Sequence, residues 1–337
     1  IFQVCMLSLS ALIVPVAYVA MPKSPQASET ISLVVFFASF SGLLMSAFMK
    51  VMFFSKNFEM ANDAISKLES LFDEMDKNKL AHGDVSEMAN HDIEFAGVTF
   101  RYEEGVDVLT DFSLKLESGK KYALVGSSGS GKSTIAKLIS GFYPVSSGEL
   151  KIGGVDISKY KRETLEHEIA FVFQNAKLFK TSIYENVKIG RPDASREEVI
   201  KALDLAMCGS ILDKFETRED TIIGAKGVHL SGGETQRIAI ARAILKDAPI
   251  IILDEASAAS DPENEYEMQQ AFSKLMEGKT VIMIAHRLSS IRNVDEILVV
   301  EDGKVTERGS HDELIAKDSK YKNLQNLYNQ ANEWRLS

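Results

Sequence analysis

The sequence predicts an α/β domain of the P-loop NTPase type preceded by an α-helical transmembrane hairpin. Three observations predict it. Gly126-Ser-Ser-Gly-Ser-Gly-Lys132-Ser133 fits a phosphate-binding loop, and it lies between a strand-like run and a helix-like one. Ile250-Ile-Ile-Leu253 and Thr280-Val-Ile-Met-Ile-Ala285 are unbroken apolar runs, as expected of strands buried on both faces of a parallel sheet. Residues 2–21 carry no charge, and residues 31–49 are uncharged and mostly apolar. Each run has about the 20 residues needed to cross a bilayer.

The hairpin reading rests on what joins and flanks those runs. Pro22 to Thr30 is short and rich in turn formers. Residues 2–21 make a poor signal peptide, because no basic segment precedes them. Two buried helices of a soluble protein are the alternative. Lys50 and Lys56 follow the second run, whereas the loop holds only Lys23. By the positive-inside rule the second helix ends in the cytoplasm, which places the rest of the chain on the cytoplasmic side of a cell membrane. The sequence opens at Ile1 and runs straight into apolar residues, so the N-terminus is expected further upstream.

The second helix is predicted over 31–54 and continues past the bilayer. Phe58, Ala61, Ile65, Leu68, Phe72 and Met75 recur in alternating steps of three and four, a heptad-like stripe that predicts a stalk over 55–75. Helical membrane domain thus occupies residues 1–75. Residues 76–91 are polar, contain Gly83 and read as a linker. From 92 to 337 the composition is that of a soluble α/β domain. Strands are predicted around 93–100, 108–116, 122–125, 169–173, 250–253 and 280–285. Helices are predicted near 134–140, 195–207, 231–247, 262–277 and 320–336.

The bulk composition narrows the function classes. Hydrophobic content of 45% and charged content of 26% are ordinary for a globular protein, and 337 residues leave room for one large domain and something more. A net charge of −10 argues against nucleic acid as a main partner. The two cysteines, Cys5 and Cys208, suggest neither a disulfide framework nor a metal site.

The loop explains its own residue types. Gly126, Gly129 and Gly131, with Ser127, Ser128 and Ser130, let successive backbone N–H groups turn inward on phosphates, and the following helix N-terminus adds its partial positive charge. Lys132 would reach the β- and γ-phosphates of a nucleotide, and the Ser133 hydroxyl would hold Mg²⁺. Asp254 and Glu255 close the strand 250–253. Neighbouring strand residues point opposite ways, so the two take different tasks. Asp254 would bind Mg²⁺ through water, and Glu255 would face the attacking water as general base. Ser231 and Glu234 form a capping box at the start of helix 231–247, with Gly232 and Gly233 leaving that N-terminus open to an anion. Read in isolation, this last feature is simply a well-capped helix.

The order Gly126 to Ser133, Gln174, Leu230-Ser-Gly-Gly-Glu234, Asp254-Glu255, Ser260-Asp261 and His286 is similar to the ATPase domain of ABC transporters over about residues 92–320. With the two apolar runs ahead of it, the chain resembles the C-terminal part of an exporter-type subunit. Such subunits have six membrane helices, so about four would lie upstream.

The resemblance implies further roles. Tyr102 would stack on adenine, though from its pattern alone it could be a core aromatic of its strand. Gln174 would touch Mg²⁺ and the water, with its loop against the membrane domain. His286 would contact the γ-phosphate and support Glu255. Thr134 would complete the loop's phosphate contacts. Ser231, Gly232, Gly233 and Glu234 would bind ATP held on a second half-transporter subunit, identical or not. Asp261 would couple the two sites. Substrate, direction and choice of partner stay open at this stage. The rivals are an importer of metal chelates on the same fold and a soluble ATPase of the family.

Three positions depart from the family pattern. Glu234 stands where Gln is commonest. Thr221 to Gly227 lacks the acidic residues usual before the helix at 231. Ser260 stands where Leu or Val is common.

Overall fold

The structure is a computed structural model. It describes residues 15–16, 19, 25–77, 80–103, 105–224, 227–254, 262–285 and 291–336; at some helical positions only the backbone is described. The predicted membrane helix over 2–21 falls almost wholly outside these residues. The chain divides into two compact units, residues 1–77 and 78–337.

In the first unit, helix α1 runs from Pro25–Lys77 without interruption, through both the apolar run and the stalk. No proline follows Pro25, and Gly42 is the helix's sole glycine. The stripe Phe58, Ile65, Leu68, Phe72 and Met75 stays exposed along it. Among the described residues no helix is long and apolar enough to cross a membrane.

The second unit is built on two sheets. Strands β1 (Ile93–Arg101), β2 (Asp107–Leu116), β4 (Ser147–Ile152) and β5 (Val155–Asp156) form an antiparallel sheet in the order β2-β1-β4-β5. The larger sheet holds β3 (Lys121–Val125), β6 (Ile169–Val172), β7 (Ile250–Asp254), β8 (Thr280–Ile284), β9 (Glu296–Glu301) and β10 (Lys304–Gly309). Its order is β10-β9-β3-β8-β7-β6, parallel except for the β9–β10 pair. Strand β7 explains its unbroken apolar run, since Ile250 and Ile252 pack on one core and Ile251 and Leu253 on another. The first core is shared with the antiparallel sheet. The second is covered by the helices that follow β6.

Helices α2 (Lys132–Ile139) and α3 (Arg162–Glu168) precede β6 and pack on the first core; those that follow it are α4 (Ile183–Lys188), α5 (Arg196–Leu205), α6 (Gly209–Leu212), α7 (Gly232–Lys246) and α8 (Pro262–Leu275). Near the end come α9 (His311–Ala316) and α10 (Lys320–Leu336). Tyr321 of α10 is fully buried and its hydroxyl lies 2.8 Å from His311 Nδ1. The segment ahead of β1, expected as a linker, lies against the domain. Leu80 is buried, Gly83 N donates to Tyr160 O at 3.1 Å, and Lys161 N donates to Val85 O at 2.8 Å.

Candidate functional site

Strand register brings the separated motifs to one sheet edge. Leu124 of β3 pairs with Ile284 of β8, and Ile284 pairs in turn with Asp254 of β7. Val172 of β6 pairs with Leu253, so Gln174 follows at the same edge. Open α/β sheets bind ligands at the carboxyl ends of their strands. Here that edge holds the phosphate loop, Asp254 and Gln174.

The loop backbone is preset. Gly126, Gly129 and Gly131 take φ of 146°, 80° and 103°, values that L side chains avoid. A Cβ on Gly126 would lie 2.1 Å from the Val300 carbonyl oxygen of β9. The β9–β10 hairpin, turning at Asp302-Gly303, also clamps the loop through Gly303 N donating to Ser130 O at 3.1 Å. Lys132 is only 4% exposed, and its ammonium donates to Gly126 O at 3.0 Å and Ser127 O at 2.6 Å. Helix α2 starts at Gly131 with no side-chain cap, whereas α4, α5, α7 and α9 are capped by Ser182, Ser195, Ser231 and Ser310. Its first-turn amides, including those of Ser133 and Thr134, are left to a ligand at the loop. A cradle of inward amides with a buried cation suits a polyphosphate.

Tyr102 stands beside this cradle. Its hydroxyl lies 3.2 Å from Thr134 Oγ1, and Lys137 Nζ sits 5.6 Å from its ring centroid. Tyr143 meets the ring edge-on at 5.2 Å. Tyr102 is 44% exposed and its strand neighbour Phe100 3%, which separates it from the core aromatics. It is therefore not a core aromatic of β1. Nothing in the sequence pointed to Tyr143 or Lys137 as its companions.

Gln174 and Asp254 line a cleft of about 980 Å³ between β6 and α7. Phe173, Phe179 and Ile189 line it too, all exposed. The loop from Gln174 is anchored by fully buried Asn186, which accepts from Phe179 N at 2.8 Å and donates to Phe179 O at 2.9 Å. Arg242 of α7 donates to Asn186 O at 2.8 Å. Sequence reading missed Arg242 and gave Asn186, twelve positions after Gln174, no role as an anchor.

The start of α7 is a complete capping box. Glu234 N donates to Ser231 Oγ at 3.3 Å, and Ser231 N donates to Glu234 Oε2 at 2.6 Å. Burial pushes the Glu234 carboxyl up, but Lys214 and the Ser231 amide outweigh it and hold the group below its ordinary value. A Cβ on Gly232 or Gly233 would meet nothing within 4 Å, so their own fold does not need them to be glycine. Glu255, Asp261 and His286 lie outside the described residues, as does Ser260.

These features define a P-loop ATPase domain. Residues 109–258 match the family model for ABC transporters. The ATP-dependent lipid A-core flippase of Pasteurella multocida is 47% identical over 237 residues, covering 70% of this chain and 41% of the relative. The Escherichia coli K12 lipid A-core flippase is 45% identical over 245 residues, with 72% and 42% covered. A Bacillus subtilis protein with the provisional name of multidrug export ATP-binding/permease protein is 45% identical over 238 residues, with 70% and 41% covered. A solved structure of a bacterial Atm1-family ABC exporter with ATP bound superposes with TM-score 0.69 at 30% identity, covering 95% of this chain and 56% of that one. Residues 109–258 are the ATPase domain of the ABC transporter family. The chain spans about two fifths of the length of the curated relatives it matches.

Proposed function

We propose that this chain is the ATP-binding and ATP-hydrolysing part of an ABC transporter that couples hydrolysis at a dimer interface to export of a substrate across a membrane. One observation carries the reading. The chain holds a phosphate cradle shaped by its own packing, and a second glycine-lined helix N-terminus that its own packing leaves open. Two such chains would complete two sites, each cradle facing the partner's Ser231, Gly232 and Gly233.

In this reading Tyr102 stacks the adenine, while loop amides, Thr134 and Lys132 hold the phosphates. Ser133, Asp254 and Gln174 are the groups that would hold Mg²⁺, which supplies charge neutralisation between the phosphates. Among the described residues no group of three or more His, Cys, Asp and Glu is placed to hold a metal ion. A set with one carboxylate suits Mg²⁺, which keeps waters and leans on substrate phosphates for ligands. Glu255 takes the proton of the attacking water, His286 holds the γ-phosphate, and Asp261 couples the two sites. The uncharged run 31–49 spans the bilayer, with the stripe of α1 packing on neighbouring helices. The 30%-identical exporter structure, which covers nearly the whole chain, supports that placement. Relatives named as flippases and an exporter support export, and they lend nothing to a chelate importer or a soluble ATPase. They carry different cargo names, so they do not fix the cargo of this chain.

Glu255→Gln tests the reading in the intact protein. Turnover should fall by about 10²- to 10⁴-fold, the usual worth of a general base, while MgATP binding persists and holds a dimer together in size analysis. Normal turnover in that variant would remove Glu255 from the mechanism. A variant that binds MgATP but never dimerises would remove the shared site.

A further inference from the structure

Helix α7 begins with a negative charge where an anion should approach. Glu234, only 6% exposed, occupies its third helical position. For the helix alone this is favourable, because a carboxylate complements the positive end of the helix dipole. For a phosphate arriving at the same N-terminus it is unfavourable. Two negative charges a few ångströms apart repel, and a buried one is poorly screened by salt.

Lys214 answers that charge. Its Nζ lies 2.5 Å from Glu234 Oε1, while Oε2 is taken by the Ser231 amide. Its side chain is 58% exposed, so the cation sits on the outer side of the carboxylate. Lys214 follows α6, with its backbone N donating to Ile211 O at 3.3 Å. Among the described residues, Arg237 of the same helix is committed elsewhere: it pairs with Glu267 and donates to Met207 O and Asn264 Oδ1.

We infer that Lys214 is a positioning residue for nucleotide at this helix: it cancels the Glu234 carboxylate, so that an incoming γ-phosphate meets the helix amides without a net negative charge beside them. The inference rests on the proposed function. It also accounts for a glutamate standing where the family's commonest residue is a neutral glutamine.

The test is a double-mutant cycle on the intact protein, following steady-state ATP hydrolysis with MgATP. Lys214→Met should raise KM about three- to tenfold, with kcat within about twofold of the parent. Lys214→Arg should restore KM. In a Glu234→Gln background, Lys214→Met should change KM by less than about twofold, because no carboxylate remains to cancel. An equal rise in both backgrounds would overturn the inference, since the lysine would then act on phosphate directly. A fall in melting temperature and kcat with unchanged KM would also overturn it, leaving Lys214 a structural support of the cap. Unchanged kinetics on hydrolysing protein would sink this inference alone. Failure of the parent protein to bind or hydrolyse ATP would sink the proposed function together with it.

Discussion

Two glycine-rich helix starts in this domain look alike in sequence and differ in what holds them. At the phosphate loop, glycine is demanded from within: Gly126 takes φ 146° and its missing Cβ makes room for the Val300 carbonyl. At the start of α7, Gly232 and Gly233 have helical backbone and open space where a Cβ would be. The first helix lacks a side-chain cap and leaves its amides to a ligand; the second has a full capping box and presents its face outward. A glycine that its own fold does not need is there for something the fold does not contain. That contrast is what the proposed site shared between two chains rests on.

The contrast breaks most visibly at Gly126. Gly126→Ala adds a methyl group 2.1 Å from a carbonyl oxygen, at a backbone angle that alanine avoids. The combined overlap and strain should cost about 3 kcal/mol or more, and MgATP binding should be lost with it. Chemical denaturation and a nucleotide-binding titration would read both. Wild-type stability in that variant would mean the loop is shaped by its ligand instead of by β9.

At Gly233 the same substitution should do the opposite to stability. Alanine fits the helical backbone and meets nothing, so folding should gain about 0.5–1 kcal/mol from propensity and a less flexible unfolded chain. ATP hydrolysis should nevertheless fall by about tenfold, because the methyl group would stand where a partner's phosphate approaches the amides. A more stable variant with full activity would show that this helix start faces only water.

How much of this was visible in the sequence follows from the range of the interactions. The loop, the capping box and the buried strands are local patterns, and each appears where the spacing predicts it: β3 at Lys121–Val125, α7 at Gly232–Lys246 and β7 at Ile250–Asp254. Even the alternation of β7 across two cores is written in its four apolar residues. What the sequence hid depends on chain segments that meet only after folding. Val300 backs Gly126 from 174 positions away, and Arg242 reaches the Asn186 clamp across 56. Lys214 meets Glu234 from a turn with no motif. Tyr102 was ambiguous in the sequence because a strand aromatic carries the same pattern inside or outside a core. Its exposure and its contact with Thr134 separate the two cases. The polar stretch before β1 looked like a tether because Leu80 and Val85 are too isolated to register as a buried pattern.

The smallest effect that separates the two helix starts is their response to acid. Glu198, Glu234 and Glu313 all cap their helices, and each carboxyl is held below its ordinary value of 4.5. For Glu198 and Glu313 the main cause is the backbone amide of the capping serine, Ser195 or Ser310. For Glu234 burial pushes the other way and is outweighed by Lys214 and Ser231. A group whose pKa is lowered by folding contributes its full stabilisation above the unfolded value, and loses it as pH falls through the folded one. The caps of α5, α7 and α9 should therefore hold unchanged from pH 7 to about 5 and weaken below about 4.5. Helix α2 has no acidic residue in its first turn, so its start should not share that change. Amide hydrogen exchange, corrected for the intrinsic pH dependence, would follow the N–H groups of Ser195, Ser231 and Ser310, which donate to the three carboxylates, against those of Ser133 and Thr134. Protection of the three serine amides should drop between pH 5 and 3 while the first turn of α2 keeps its own level. An equal drop at α2 would mean that acid loosens the whole domain and that the two helix starts are held by the same forces.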